Sequence, residues 1–361
     1  MKNREKFRYV FTSSNTRRGF HSFVPELIFG LKKVYVLQGA VGSGKAAFMR
    51  LLAEAMAKRG FQVEVWVSSF DPLNPEGVLI PEMEAAVVNG GLLDNIDLMN
   101  AAAVQIINLD LFRDQSAFAL KRLTIEQLYE QLAANRERAI ELIQSAGTAA
   151  DDIKKVAARH INREKIAVLT NNLAERIINQ QPEEKHYFAS AVTAEGMINY
   201  IDTISHACSK RYIFTGPAGS GKAAIISEIA GRAKEKGFSV EYYHSGFDID
   251  ILSAIIIRNL QVALIDAGYL AINLQPGDEI IAAEQYLDNY DHKPSERQTM
   301  PAKRQYEVFM QEAQQQLENA QLSIGELKRI YAAAIDLAWL DRCREEIIAD
   351  IAAIKPVKSA N

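Results

Sequence analysis

Short apolar runs alternate with stretches of helical periodicity in the first part of each half of the chain. Residues 34–37 and 212–215 are apolar runs of strand length, and each leads into a glycine-rich segment. Helical patterns over 45–59 and 222–236 follow, and each is closed by a glycine suited to a helix C-terminus. The pattern therefore predicts a strand, a loop and a helix in succession, twice along the chain.

Two further apolar runs in each half continue this alternation. Residues 62–67 and 239–244 predict a second strand, and residues 85–88 and 262–265 predict a third. Strands that alternate with helices favour a mostly parallel sheet covered on both faces. The predicted fold class is therefore α/β.

The rest of each half shows apolar residues at three- and four-residue spacing, as amphipathic helices do. These stripes comprise Ile153, Val156, Ala157, His160, Ile161, Leu169, Leu173 and Ile177 in the first half, and Leu327, Ile330, Tyr331, Ala334, Ile335, Cys343, Ile347 and Ile351 in the second. We expect helices that pack on each other or on the α/β core of their own half. The alternatives are a lid over a nucleotide site and a hairpin that binds a partner.

The two halves of the chain are copies of one sequence unit. Residues 10–89 and 187–266 align without a gap at an offset of 177, and 23 of the 80 positions are identical. A polar stretch with a proline, 180–185, is a suitable boundary. We predict two domains, 1–182 and 183–361, with α/β cores at about 8–110 and 185–285 and helical extensions at 111–182 and 286–361.

Both repeats carry a G-x-x-x-x-G-K segment between the first strand and the first helix. Glycines allow backbone N–H groups to turn toward a phosphate, and the helix N-terminus adds the positive end of its dipole. The candidate nucleotide-binding residues are Gly39, Gly42, Ser43, Gly44, Lys45, Ala46, Gly216, Gly219, Ser220, Gly221, Lys222 and Ala223. The alternative is a pair of glycine turns that only begin helices.

The residue after each loop lysine departs from the phosphate-loop motif. The motif has Ser or Thr there because the hydroxyl binds Mg²⁺, whereas this chain has Ala46 and Ala223. A methyl group cannot bind a metal, so we expect phosphate binding to survive and magnesium positioning to be impaired. Hydrolysis should then be slow, whether the alanines are natural or introduced.

Acidic residues follow the second and third predicted strands. Asp266 ends the third strand of the second repeat, where a magnesium-ordering acid is expected, but Asn89 holds the matching place in the first. Asp71 and Asp248 end the second strands, at the edge where such sheets bind ligands. We predict Lys222, Asp248 and Asp266 as catalytic residues and Asp266, Asp248 and Asp71 as metal ligands. Turn and loop capping is the alternative for each aspartate.

Composition narrows the classes of function. The chain has 361 residues with 48% apolar and 24% charged residues, which is ordinary for a globular protein, and its net charge is −4. That balance disfavours nucleic acid as a partner. Two cysteines, an N-terminus without a signal peptide and the lack of a membrane-spanning stretch predict a cytoplasmic protein. Candidate arginine fingers are Arg17, Arg18, Arg258, Arg297, Lys303 and Arg304, and the alternative for each is a solvated surface charge.

The segments 188–196 and 240–248, the glycine loop between them and the segment 276–280 resemble a bacterial family of tandem P-loop proteins. That family is labelled as ATPase or nucleotide-kinase-like, and the resemblance covers nearly the whole chain. It implies binding of ATP or GTP. Departures at Ala46, Ala223 and Asn89 put catalysis in question, as does segment 102–106, which stands where the second repeat has Pro-Gly-Asp-Glu-Ile.

The leading hypothesis is a nucleotide-binding switch or scaffold with weak or lost hydrolysis. The first alternative is an active ATPase or a small-molecule or nucleotide kinase that uses the second site. The second alternative is a helical interaction module with vestigial loops. A protein partner bound through the helical extensions and a homo-oligomer are both compatible with the sequence, and no membrane association is expected.

Overall fold

The structure is a computed structural model that describes residues 6–93, 103–112, 121–177, 184–268, 270–332 and 335–355. It is mixed α/β, as the sequence predicts. The strands are β1 (Phe7–Phe11), β2 (Ser13–Thr16), β3 (Gly19–Ser22), β4 (Lys33–Gln38), β5 (Val63–Val67), β6 (Pro75–Ile80), β7 (Ala85–Asn89), β8 (Val104–Asn108), β9 (Glu184–Phe188), β10 (Ser190–Thr193), β11 (Gly196–Asn199), β12 (Lys210–Thr215), β13 (Val240–His244), β14 (Leu252–Ile257), β15 (Val262–Asp266) and β16 (Glu279–Ala282). The helices are α1 (Val24–Ile28), α2 (Lys45–Lys58), α3 (Arg122–Ala158), α4 (Arg163–Ile177), α5 (Ile201–Ser205), α6 (Lys222–Glu235), α7 (His292–Ala332) and α8 (Leu337–Ala353).

The chain forms two compact units, and each takes segments from both sequence repeats. Unit 1 comprises Met1–Thr12, Ser22–Arg138 and Gln315–Asn361, and unit 2 comprises Ser13–His21 and Ala139–Gln314. The end of α3 and all of α4, from the first repeat, therefore belong to unit 2. The end of α7 and all of α8, from the second repeat, belong to unit 1. The compact units and the repeats 1–182 and 183–361 are thus different divisions of the chain.

Unit 1 contains six sheet strands in the order β1-β5-β6-β7-β4-β8. The pairs β1/β5, β4/β7 and β4/β8 are parallel, and only β6 runs antiparallel to its neighbours. The pairing of β4 with β7 sets Leu37 opposite Asn89. Strand β4, which leads into the first glycine loop, therefore lies between two parallel strands.

Unit 2 has the matching strands in the order β9-β13-β14-β15-β12-β16. Strands β12/β15, β12/β16 and β9/β13 are parallel, and β14 is antiparallel to both neighbours. The register sets Phe214 opposite Asp266. The hairpin of β2 and β3 also lies mainly in this unit, where Ser14 Oγ donates to Gly246 O at 2.8 Å.

In the hydrophobic core of each unit, the helix that follows the glycine loop packs against the last helix of the other repeat. In unit 1, Phe48 and Leu52 of α2 share a cluster with Ile348 and Ile351 of α8. In unit 2, a corresponding cluster joins α6 to Leu173 and its neighbours on α4. The expectation that the helical extensions pack on their own α/β core is therefore wrong for α4 and α8. The chain reaches the other unit because α3 and α7 are long enough to contribute to both. The N-terminal part of α3 does contact its own core, where Val41 N donates to Tyr129 Oη at 3.3 Å, and α3 and α7 also pack on each other, as expected.

The apolar stripes at the ends of α3 and α7 run past the helices that they predict. Helix α3 ends at Ala158 and α7 at Ala332, so Ile161 and Ile335 lie in the connections that follow. Ile161 forms an isolated bridge with Leu287 instead. Ala334, which the sequence places in the same stripe, and the side chain of Ile177 lie outside the described part of the protein.

Candidate functional site

The last two glycines of each loop have matching left-handed conformations. Gly42 and Gly219 both have a φ of 84°, and Gly44 and Gly221 have φ values of 90° and 91°. Side chains other than glycine rarely adopt such values, so the conformation depends on the glycines that the motif supplies. In both units the loop connects a parallel strand to a 14-residue helix whose first residue is the loop lysine. Successive turns of this kind are typical of anion-binding nests. In unit 1, two N–H groups of the loop bind side chains: Ala40 N donates to Asp110 Oδ2 at 2.9 Å, and Val41 N donates to Tyr129 Oη at 3.3 Å.

Each loop lysine lies back against its own loop. Lys222 Nζ donates to Gly216 O at 2.9 Å and to Pro217 O at 2.8 Å. Lys45 Nζ makes the corresponding contacts with Gly39 O and Ala40 O, at 2.5 and 3.0 Å. These hydrogen bonds are charge-assisted, because the ammonium donor is ionised.

The strand beside each loop strand ends at the predicted acid position. Asp266 Oδ1 lies 3.7 Å from Lys222 Nζ and accepts a hydrogen bond from Gly268 N at 2.8 Å. Asn89 Oδ1 accepts the same turn bond from Gly91 N at 3.3 Å, without a charge. Asp266 therefore caps a turn and also faces the loop lysine. Burial raises the pKa of Asp266 and lowers the pKa of Lys222, and their mutual attraction opposes both shifts.

Magnesium fits the donor set of the loops poorly. Ala46 and Ala223 are the second residues of α2 and α6, so each places a methyl group where the motif has a hydroxyl. Within the described residues, no group of three or more His, Cys, Asp or Glu side chains could hold a metal ion. The assignment of Asp266, Asp248 and Asp71 as metal ligands stays a prediction, and we derive no step through a metal.

Asp248 and Asp71 pair with lysines of the helical extensions. Lys154 Nζ lies 3.4 Å from Asp248 Oδ2, whose side chain is 9% exposed. Lys328 Nζ forms an ion pair with Asp71 Oδ2, which also accepts a hydrogen bond from Asn74 at 2.7 Å. Each aspartate therefore neutralises a cation that a neighbouring ligand could also use.

The main chain at these lysines lies directly on the glycine loops. A Cβ atom built on Gly219 would lie 2.1 Å from Lys154 O, and one built on Gly42 would lie 2.7 Å from Lys328 Cα. At Gly221 the neighbour is a side chain, since a Cβ atom built there would lie 2.8 Å from Ile166 Cδ1 of α4. Helices α3 and α7 thus cover the loops of unit 2 and unit 1, respectively.

Sequence reasoning missed Lys154 and Lys328 because it did not carry the offset of 174, which relates segment 102–106 to 276–280, into the helical extensions. After residue 104 the repeat continues at an offset of 174, which relates Lys154 to Lys328, Ala158 to Ala332 and the start of α4 to that of α8. A second, gapped alignment of the helical stripes is the signal that finds them.

Arg17 is the candidate finger that lies near a predicted site residue. Its guanidinium makes two 2.7 Å hydrogen bonds to Asp151 and lies 3.5 Å from Asp248 Oδ2. The hydrogen bonds to Asp151 raise the pKa of Arg17 and lower that of Asp151. The other candidates differ: Arg18 pairs with Asp250 and Arg258 with Glu241. Exposed positions on α7 hold Arg297, Lys303 and Arg304.

A cavity of about 270 Å³ adjoins the glycine loop of unit 2. Lys154, Lys222, Asp248 and Asp266 line its charged side. Its apolar side includes Ile153, Met197, Phe247, Ile251, Leu270 and Tyr306. The cavity lining therefore combines charged and apolar side chains, as ligand pockets commonly do.

Comparison with known proteins gives no match to a family model, to a curated protein or to a solved structure. No helix of the described residues is long and apolar enough to cross a membrane.

Proposed function

We propose that the protein binds a nucleoside triphosphate, ATP or GTP, at each glycine loop and uses it as a switch or scaffold ligand. The observation that carries this proposal is the matching left-handed conformation of the last two glycines in each loop, with a lysine at the first helical position. Gly39, Gly42 and Gly44, with Lys45, would hold the phosphates in unit 1. In unit 2 the corresponding residues are Gly216, Gly219, Gly221 and Lys222.

Weak hydrolysis is part of the proposal because the chain lacks the usual groups for it. Ala46 and Ala223 offer no metal ligand, and Asn89 has no carboxylate. The helices that cover the loops would register the bound phosphate instead. A resemblance to tandem P-loop proteins is compatible with this function and stays a prediction, as do a protein partner and a homo-oligomer.

Calorimetry with ATP in EDTA tests the proposal. Lys222→Ala should weaken binding at one site by about 1.5–3 kcal/mol, the contribution of a charge-assisted hydrogen bond. The double variant Lys45→Ala, Lys222→Ala should lose both sites. Lys155→Ala is the matched control, since Lys155 is an exposed lysine that pairs with Asp152 on its own helix. Unchanged affinity in the double variant would contradict phosphate binding at the loops.

A second candidate function is phosphotransfer or ATP hydrolysis in unit 2. The cavity beside the loop and the approach of Asp266 to Lys222 favour it. Lys222 would hold the phosphates, and Asp248 and Asp266 are the carboxylates available to accept a proton. Magnesium-dependent turnover that Asp266→Asn abolishes would support this candidate over the switch.

A further inference from the structure

Lys154 and Lys328 occupy one structural position in the two units. Each is the fifth residue from the C-terminal end of its helix, α3 or α7, and each belongs to the unit whose glycine loop it covers. Their main-chain atoms lie against Gly219 and Gly42. The position is therefore fixed relative to the loop by close backbone packing.

The side chains of both lysines extend from this position to an aspartate. Lys154 contacts Asp248, and Lys328 contacts Asp71. Asp248 lies four residues after the end of β13, and Asp71 lies four residues after the end of β5. In unit 2, Lys154 and Asp248 both line the cavity, together with Lys222 of the glycine loop. An anion bound between the loop and the helix would compete with Asp248 for the same ammonium group.

We propose that Lys154 and Lys328 are shared cations, which pair either with their aspartates or with the terminal phosphate of a polyphosphate held by the glycine loop. This inference rests on the proposed function and deepens it. An ammonium group is a mobile point charge with three donors, so it can exchange one anion for another. Phosphate binding then breaks the ion pair that links helix α3 to Asp248, or α7 to Asp71, and the helices report whether the loops are occupied.

The two units differ in what holds the released aspartate. Asp248 keeps the Arg17 guanidinium at 3.5 Å, whereas the remaining described side-chain partner of Asp71 is Asn74, at 2.7 Å. A cation stabilises a partly buried carboxylate better than an amide does. Release of the lysine should therefore be easier in unit 2, which predicts that unit 2 binds polyphosphate more tightly.

A purely structural ion pair gives a different pattern of mutational effects. Removing either partner of a structural pair loosens the same contact, so both changes would weaken ligand binding or leave it unaltered. A shared cation predicts opposite signs, because loss of the lysine removes a phosphate contact and loss of the aspartate removes a competitor. The effect of the aspartate must also depend on whether the lysine is present, beyond the direct repulsion between the aspartate and the anion.

The test is a double-mutant cycle in unit 2, measured by calorimetry with ATP in EDTA and with inorganic tripolyphosphate. Every protein in the cycle also carries Lys45→Ala, which restricts binding to unit 2. Lys154→Met should weaken binding about tenfold, and Asp248→Asn should tighten it about threefold. The double variant should depart from the sum of the two single effects, because freeing Lys154 is possible only when Lys154 is present. Lys155→Met is the control, and Lys154→Arg should retain most of the affinity if charge is what matters.

The outcomes separate the inference from the proposed function. If the parent protein binds neither probe, phosphate binding at the loops fails, and the inference fails with it. If it binds but Lys154→Met behaves as Lys155→Met does, only the inference is overturned. Weaker binding by Asp248→Asn would also overturn it. The matched set in unit 1 is Lys328→Met and Asp71→Asn, with Arg329→Met as control, in a Lys222→Ala background.

Discussion

Replacing Gly219 with alanine tests the packing of helix α3 on the glycine loop of unit 2. Gly219 has a φ of 84°, and an alanine in the left-handed region is destabilised by about 1–2 kcal/mol. Its Cβ would also lie 2.1 Å from the carbonyl oxygen of Lys154, far inside ordinary contact distance. Because that oxygen is main chain, the helix itself must move, which adds about 1–3 kcal/mol, as overpacking typically does. We expect a total loss of about 2–5 kcal/mol.

Gly277→Ala is the matched control, since Gly277 has a φ of 97° but nothing within 4 Å of a built Cβ. It should lose only the backbone contribution. Both variants are compared by urea unfolding followed by circular dichroism. Tryptophan fluorescence is unsuitable, because Trp66 and Trp339 both belong to unit 1 and would not report on unit 2. Equal losses in the two variants would refute the packing of α3 on the loop.

Three further predictions concern other features of the molecule. Ala223→Thr should raise magnesium-dependent ATP hydrolysis more than Ala46→Thr does, because the first site has Asn89 where the second has the carboxylate of Asp266. Equal gains in the two variants, measured by phosphate release, would contradict this. Burial lowers the pKa of His244 from 6.5 to about 4, so the unfolded chain binds a proton between those pH values that the folded protein does not. The free energy of unfolding should therefore fall by about 2–3 kcal/mol as the pH drops through that window, and His244→Gln should flatten the slope of urea unfolding against pH. Gly231 lies inside α6 with nothing within 4 Å of a built Cβ, so Gly231→Ala should stabilise the protein by about 0.5–1 kcal/mol in the same assay. A loss of stability would contradict the open space beside Gly231.

Local sequence signals were sufficient for the glycine loops and their flanking elements. The predicted helix at 45–59 is observed as Lys45–Lys58, and the strand at 262–265 is observed as Val262–Asp266. These elements depend on short-range features, a glycine at a left-handed position and an apolar run of strand length. The antiparallel strand β6 was not predicted, since it begins at Pro75 and includes Gly77, both of which disfavour a strand.

Long-range packing could not be derived from periodicity. The stripe that includes Leu173 shows that α4 buries one face, but it does not show which core receives that face. The ion pair of Lys154 with Asp248 depends on the same packing, and so do the contacts of Arg17 with Asp151 and Asp248. Such contacts join residues far apart in the chain, and no local pattern encodes them.

The crossing of helices between the repeats has a consequence for each repeat on its own. Helix α8 completes the core of the unit that holds α2, and α4 completes the core that holds α6. A single-copy protein with the same packing would complete neither core by itself, so it would be an obligate dimer that exchanges its C-terminal helices. With both protomers in one chain, each loop can differ from the other, as Asn89 and Asp266 do.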